Sequence, residues 1–161
     1  MSKPITLLEQ QLQKKILIMD GAMGTMLQQA NLTPDNFGGE EFDGCNENLN
    51  ITAPHVIERI HVEYLNAGAD IVETNTFGGT DLVLDEYELG FKAYEINRLG
   101  AEIAKRATSQ VSTPEWPRFV AGSIGPTTKT LSVTGGTTFD ALTDSYEERA
   151  RGLLDGGSDC L

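Results

Sequence analysis

Three short runs constrain this chain more than anything else in it: Ile16-Leu17-Ile18-Met19, Ile71-Val72-Glu73-Thr74 and Phe119-Val120-Ala121-Gly122. A strand with one wet face alternates apolar and polar residues, whereas Ile16-Leu17-Ile18-Met19, apolar on consecutive positions, reads as a strand buried on both faces, as in parallel sheets; the other two runs read as a second and a third short strand. Between the runs the apolar period changes to that of a helix. Leu7, Leu8 and Leu12 mark one helix near residues 5–15. Pro54 opens a second that runs to about residue 67, burying Ile57, Ile60, Tyr64 and Leu65 before Gly68 stops it. Phe91, Ile96, Leu99, Ile103, Ala104 and Ala107 form the stripe of a third, and Phe139, Leu142, Tyr146, Ala150 and Leu153 that of a fourth. Residues 31–50 and 127–138, polar and rich in Gly or Thr, read as loops.

An internal echo extends the pattern. Ala67-Gly68-Ala69-Asp70 leads from a helix into the second run, and Gly156-Gly157-Ser158-Asp159 stands in the same place before Cys160-Leu161. Cys160 therefore begins a fourth strand. Strand alternating with helix predicts an α/β fold with a parallel sheet and right-handed crossovers. Four such units are half of a (β/α)8 TIM barrel, which takes about 250 residues. The expectation is the N-terminal half of that barrel, truncated within the fourth strand, with residues 1–161 a partial domain. A doubly wound sheet is the competing architecture.

Composition narrows the partners. Acidic residues number 24 against 12 basic, a formal charge of -12, which repels phosphate backbones and anionic lipid and speaks against nucleic acid or membrane as partner. No run approaches the ~18 apolar residues of a membrane span, and Lys14 and Lys15 interrupt the place of a signal-peptide core. Two cysteines, Cys45 and Cys160, make no disulfide framework, so a reducing cytoplasmic setting is expected.

In either architecture, functional groups collect where strands end at their carboxyl edge. Those ends carry Asp20 with Gly21, Ala22, Met23 and Gly24, then Glu73 with Thr74, Asn75 and Thr76, then Ser123 with Gly125. A carboxylate followed by a turn that exposes backbone amides can grip an amino acid by both ends; alternatively, Asp20 caps the next turn. Thr74 and Asn75 either line a pocket or satisfy strand-end amides. Gly21 and Gly24 lack the third Gly of a dinucleotide fingerprint and the Lys of a P-loop. His55 and His61, six apart on one helix, point in different directions, so no metal site and no Ser-His-Asp triad is expected. Cys45 reads as a loop thiol and Cys160 as a buried strand residue. Asp81, Asp85, Glu86 and Glu88 read as a solvated face.

Taken together, Ile16-Leu17-Ile18-Met19-Asp20-Gly21-Ala22-Met23-Gly24-Thr25, Asn48-Leu49-Asn50, residues 67–77 and Val120-Ala121-Gly122-Ser123-Ile124-Gly125-Pro126-Thr127 resemble the homocysteine-binding domain of the homocysteine methyltransferases. The similarity spans nearly the whole chain. Met23-Gly24-Thr25-Met26 and Gly125-Pro126-Thr127 place it nearest the N-terminal part of the cobalamin-dependent members. The resemblance implies a (β/α)8 barrel that binds homocysteine beside a zinc ion held by three cysteines, which lowers the pKa of the substrate thiol. In cobalamin-dependent members the donor is methylcobalamin, regenerated from 5-methyltetrahydrofolate by downstream modules. The family's amine-binding carboxylate falls on Asp20, and the backbone of Gly21, Ala22 and Met23 would meet the substrate's carboxylate and carbon chain. The family's Asn-Cys and Gly-Gly-Cys-Cys zinc motifs do not occur, so the ligands are expected beyond residue 161, and this stretch alone is expected to be inactive. Two alternatives stay open: a stand-alone methyltransferase using betaine or S-methylmethionine, and a non-catalytic half-barrel module.

Overall fold

The computed structural model describes residues 6–131 and 135–161; Ile5 and the middle of the 127–138 stretch lie outside them. Its elements are α1 (Leu7–Leu12), α2 (Met23–Gln29), α3 (Pro34–Phe37), α4 (Leu49–Thr52), α5 (Pro54–Ala67), β1 (Ile71–Glu73), α6 (Asp81–Leu84), α7 (Ala93–Val111), β2 (Phe119–Ala121) and α8 (Phe139–Asp155). β1 and β2 pair in parallel, Ile71 with Phe119, Val72 with Val120 and Glu73 with Ala121. Single parallel bridges add a rung on each side, Met19 to Ile71 and Ala121 to Cys160. The four rungs thus lie in sequence order with no reversal, whereas a doubly wound sheet reverses its strand order.

Local chemistry accounts for the element ends. α1 opens with a capping box in which Thr6 and Glu9 satisfy each other's backbone amides. Pro54 sits in the first turn of α5, and Gly68 closes that helix at φ 115°, a conformation that favours glycine. Thr138 caps α8 by accepting the Ala141 amide. Helix α7 joins the buried clusters: Ile103 packs with Leu49, Ile57 and Ile60, Ile96 with Leu84 and Leu89, and Ala104 and Ala107 with Val72 and Val120 of the sheet.

Several sequence expectations need correction. Residues 16–19 are not a strand buried on both faces: Ile16 is 90% and Ile18 61% exposed, and only Met19 forms a bridge. The segment bonds to β1 along one side alone, through the Asp70 and Ile71 amides to the Ile18 carbonyl and the Asp20 amide to the Ile71 carbonyl. Residues 31–50 are no open loop; they fold into α3, the start of α4 and two 3-10 turns, Glu40–Phe42 and Asn46–Asn48. Cys45 does lie in a connection, between the two 3-10 turns, but it is buried, 1% exposed among Leu84, Leu89, Ala93 and Ile96. Cys160 on its outer rung is only half-buried. Phe91 precedes α7 and is 82% exposed, and Phe139 is 71% exposed at the start of α8. Of the acidic run, Asp85, Glu86 and Glu88 face solvent, but half-buried Asp81 accepts from the Leu82 amide and the Ser145 hydroxyl.

Candidate functional site

The carboxyl ends of the first three rungs open into one cleft of about 480 Å³, lined by residues 20–24, 73–77 and Ser123 together with Asn46 and Glu47. The strand-end argument thus brings Asp20, Gly21, Ala22, Met23, Thr74 and Asn75 to one place.

Asp20 leaves the first rung half-buried, and its Oδ1 accepts the Glu73 amide at 3.0 Å. Burial pushes its carboxyl up to about 7; the nearby Glu73 carboxylate adds to that rise, and the Glu73 amide bond opposes it. The following turn is held from behind, where the Tyr64 hydroxyl donates to the Ala22 carbonyl at 3.2 Å. A Cβ on Gly21 would come 3.2 Å from that same hydroxyl, a tight approach that Tyr64 would have to yield to.

Thr74 and Asn75 spend their polar groups on the frame. The Thr74 hydroxyl lies 2.6 Å from that of Thr76 and accepts the Ser123 amide at 2.9 Å, while Thr76 Oγ1 donates to the Ser123 carbonyl. These bonds lace the end of β1 to the segment after β2. Asn75 Nδ2 donates to the Asn46 carbonyl at 2.7 Å and to Asn50 Oδ1 at 3.3 Å. Buried Asn50 returns bonds to the Asn75 and Ile96 carbonyls. The 46–50 segment is thereby fastened to the sheet end, and it delivers Glu47 to the cleft.

Two residues escaped the sequence argument. Glu47 is half-buried, and its Oε1 accepts the Gly78 amide at 2.7 Å. It sits in a stretch with no apolar period, so nothing marked it. Arg149 on α8 is fully buried, and its guanidinium donates to the carbonyls of Gly125, Phe77 and Ser123 at 3.0, 2.7 and 2.9 Å, and to that of Thr76. Among Glu147, Glu148 and Arg151 it reads as one more solvated charge. The available signal was its helical face, shared with Ser145, Gly152 and Gly156, where small residues let the helix close on the sheet.

The zinc implied by the family resemblance does not fit the residues present. The Cys45 thiol is pushed up to about 11 by burial, and burial also raises that of Cys160. His55 is exposed while His61 is buried. No group of three or more His, Cys, Asp or Glu that could hold a metal occurs among the described residues. Nor does the cleft, at about 480 Å³, have room to enclose a corrin ring. Among the described residues no helix is long and apolar enough to cross a membrane.

Fold and site together define an α/β protein with a cleft at the carboxyl ends of its parallel strands. The sequence profile of the homocysteine S-methyltransferases matches residues 17–161, and the chain belongs to that family. It is 47% identical over 150 residues to the methionine synthase of Mycobacterium leprae and 45% identical to that of Mycobacterium tuberculosis, each match covering 93% of this chain. The chain spans only 12% of the length of those relatives. Among solved structures, the metallated form of the homocysteine methyltransferase MmuM from Escherichia coli superposes with a TM-score of 0.75 at 22% identity, over 95% of this chain and 56% of that one. Its oxidised form superposes with a TM-score of 0.72 at 23% identity, over 92% of this chain and 52% of that one.

Proposed function

We propose that these residues form the first half of the (β/α)8 homocysteine-binding domain of a cytoplasmic methionine synthase, and that the cleft grips the amino-acid end of homocysteine. The transfer this reading entails is that of a methyl group to the homocysteine sulfur, giving methionine. Methylcobalamin would be the donor and methyltetrahydrofolate its source, handled together with zinc by parts of the protein outside these residues. The two methionine synthase relatives support this choice of donor over a stand-alone enzyme using betaine or S-methylmethionine.

The observation that carries the reading is Asp20, a half-buried carboxylate at a strand end, held by one backbone amide and followed by a turn of small residues along the same cleft. Ionised Asp20 accepts the substrate's ammonium group, and the backbone of Gly21, Ala22 and Met23 meets its carboxylate and carbon chain. Thr74 and Asn75 contribute as wall, because their side chains are already bonded to the frame. The cleft, lined by Glu47 and Glu73 as well as Asp20 and, among the described residues, by no basic side chain, favours the cationic end of an amino acid. Because only the ionised carboxylate attracts the ammonium, homocysteine affinity rises with pH through about 7.

The test is Asp20→Asn in the complete protein. Removing a charge-assisted hydrogen bond should raise the KM for homocysteine roughly tenfold or more and flatten its pH dependence, leaving zinc content unchanged. A KM equal to that of the wild type retires the assignment.

A further inference from the structure

Arg149 presents an unusual situation for a buried charge. It is fully buried, and among the described residues no carboxylate contacts it and every hydrogen bond it makes goes to a backbone carbonyl. Its Nε has no partner among the described residues. A buried ion is costly unless its surroundings replace water, so four converging carbonyl dipoles take that part here. All four belong to the segments that follow β1 and β2.

One of these peptide units is held from both sides. The Phe77 carbonyl accepts from Arg149 at 2.7 Å, and the N–H of the same peptide, on Gly78, donates to Glu47 Oε1 at 2.7 Å. In a trans peptide the C=O and N–H point in opposite directions, and no cis peptide occurs among the described residues. Arg149 pulls the oxygen back into the protein and thereby turns the N–H outward to Glu47, in line through a single polarised amide. A buried cation on one end and a carboxylate on the other strengthen both bonds. Glu47 lines the cleft, and its second oxygen, Oε2, has no partner among the described residues.

We propose that Arg149 is a positioning residue for substrate binding: through the Phe77–Gly78 peptide it fixes Glu47 as a second carboxylate for the ammonium group of the substrate. The proposal rests on the homocysteine reading above. Arg149 touches no substrate itself. Its guanidinium spans four carbonyls as a planar fork, which the single ammonium of lysine cannot reproduce. Without that hold the Phe77 oxygen keeps only the Gly125 amide, 3.1 Å away on a segment that Arg149 itself ties down, and the anchor of Glu47 loosens.

The experiment uses the complete protein, with Arg149→Lys, Glu47→Gln, their double variant and Asp20→Asn compared in homocysteine KM, kcat and thermal midpoint. Arg149→Lys and Glu47→Gln should each raise KM about tenfold with little change in kcat, and the double variant should be no worse than the poorer single one, since both break one unit. A merely structural arginine would lower the thermal midpoint and leave KM alone, and that result overturns the proposal. Additive effects of the two substitutions overturn it as well. If Arg149→Lys fails to fold, Glu47→Gln decides, because Glu47 lies outside the buried core: an unchanged KM refutes the proposal. Asp20→Asn separates the two levels. If it weakens homocysteine binding while the other variants do not, only the Arg149 proposal falls; if it has no effect, the homocysteine reading falls.

Discussion

Burial sets opposite pH slopes on two single residues. His61 on α5 is fully buried with neither ring nitrogen hydrogen-bonded among the described residues, and burial lowers its pKa to about 4. The unfolded chain protonates this imidazole near 6.5 and the folded one does not. Stability is therefore complete above 6.5 and is lost as pH falls toward 4, by on the order of 3 kcal/mol in all. Asp20 runs the other way: with its carboxyl raised to about 7, its contribution is complete below 3.8 and is lost as pH rises through 7. The two slopes oppose each other between about 4 and 6.5, so the wild-type profile hides both. His61→Leu exposes the first. Relative to wild type, it should be about 2 kcal/mol better off at pH 5 than at pH 7 in urea denaturation; parallel profiles would show that His61 is not buried uncharged. Asp20 was legible because a carboxylate at the mouth of an apolar run has few other uses. Arg149 was not, because Glu147, Glu148 and Arg151 around it read as one solvated stretch; His61 did carry a signal, lying at helical spacing from Ile57, Tyr64 and Leu65.

At the scale of elements, the echo in the sequence proves to be a repeated fastening. Gly68 and Gly157 both adopt positive φ at a helix end, and the next amides bond back to Tyr64 and Leu153 in the same pattern. The aspartates two residues on then accept an amide of the preceding rung, Asp70 from Ile18 at 3.0 Å and Asp159 from Val120 at 2.8 Å. Each also binds a lysine, Lys15 or Lys105. The copies differ in burial. Asp70 is 3% exposed and further receives Trp116 Nε1 at 2.6 Å beside the buried Arg118, which stacks on that indole. Burial alone would raise its carboxyl, but the bonds from Lys15, Trp116 and Ile18 outweigh this and hold it below the usual range. Asp159 keeps solvent access. Asp70→Ala should therefore cost about 3 kcal/mol, since it strands a buried guanidinium, and Asp159→Ala about 1 kcal/mol or less. Equal losses in denaturant titrations would mean that burial does not separate the two. Strands and long helices were legible here through their periods and glycine stops. The 31–50 segment was not, because its fold depends on Asn48 bonding the Phe37 carbonyl and Asn50 bonding those of Asn75 and Ile96, contacts that leave no apolar rhythm.

The molecule as a whole is a one-directional stack of four parallel rungs with helices packed against it, and both flanks of the stack are thinly covered. On one flank Ile16, Ile18 and Met19 are 90%, 61% and 46% exposed; on the other Leu161 is 53% exposed. Apolar residues beside unpaired strand edges are a template for further pairing. On the proposed half-barrel reading, the apolar composition of residues 16–19 suits a sheet that continues past them, and among the described residues it does not. The likeness to MmuM, which covers 56% of that chain, fits a sheet with further rungs. The 161-residue chain on its own should thus associate through these flanks. Sedimentation velocity across a range of concentrations should give a mass that grows with concentration, and lysine at both Ile16 and Ile18 should reduce it by placing charge among the exposed apolar residues of that edge. A wild-type chain that sediments as a monomer at every concentration would mean that the flanks are covered from within, and the half-barrel architecture would have to be withdrawn.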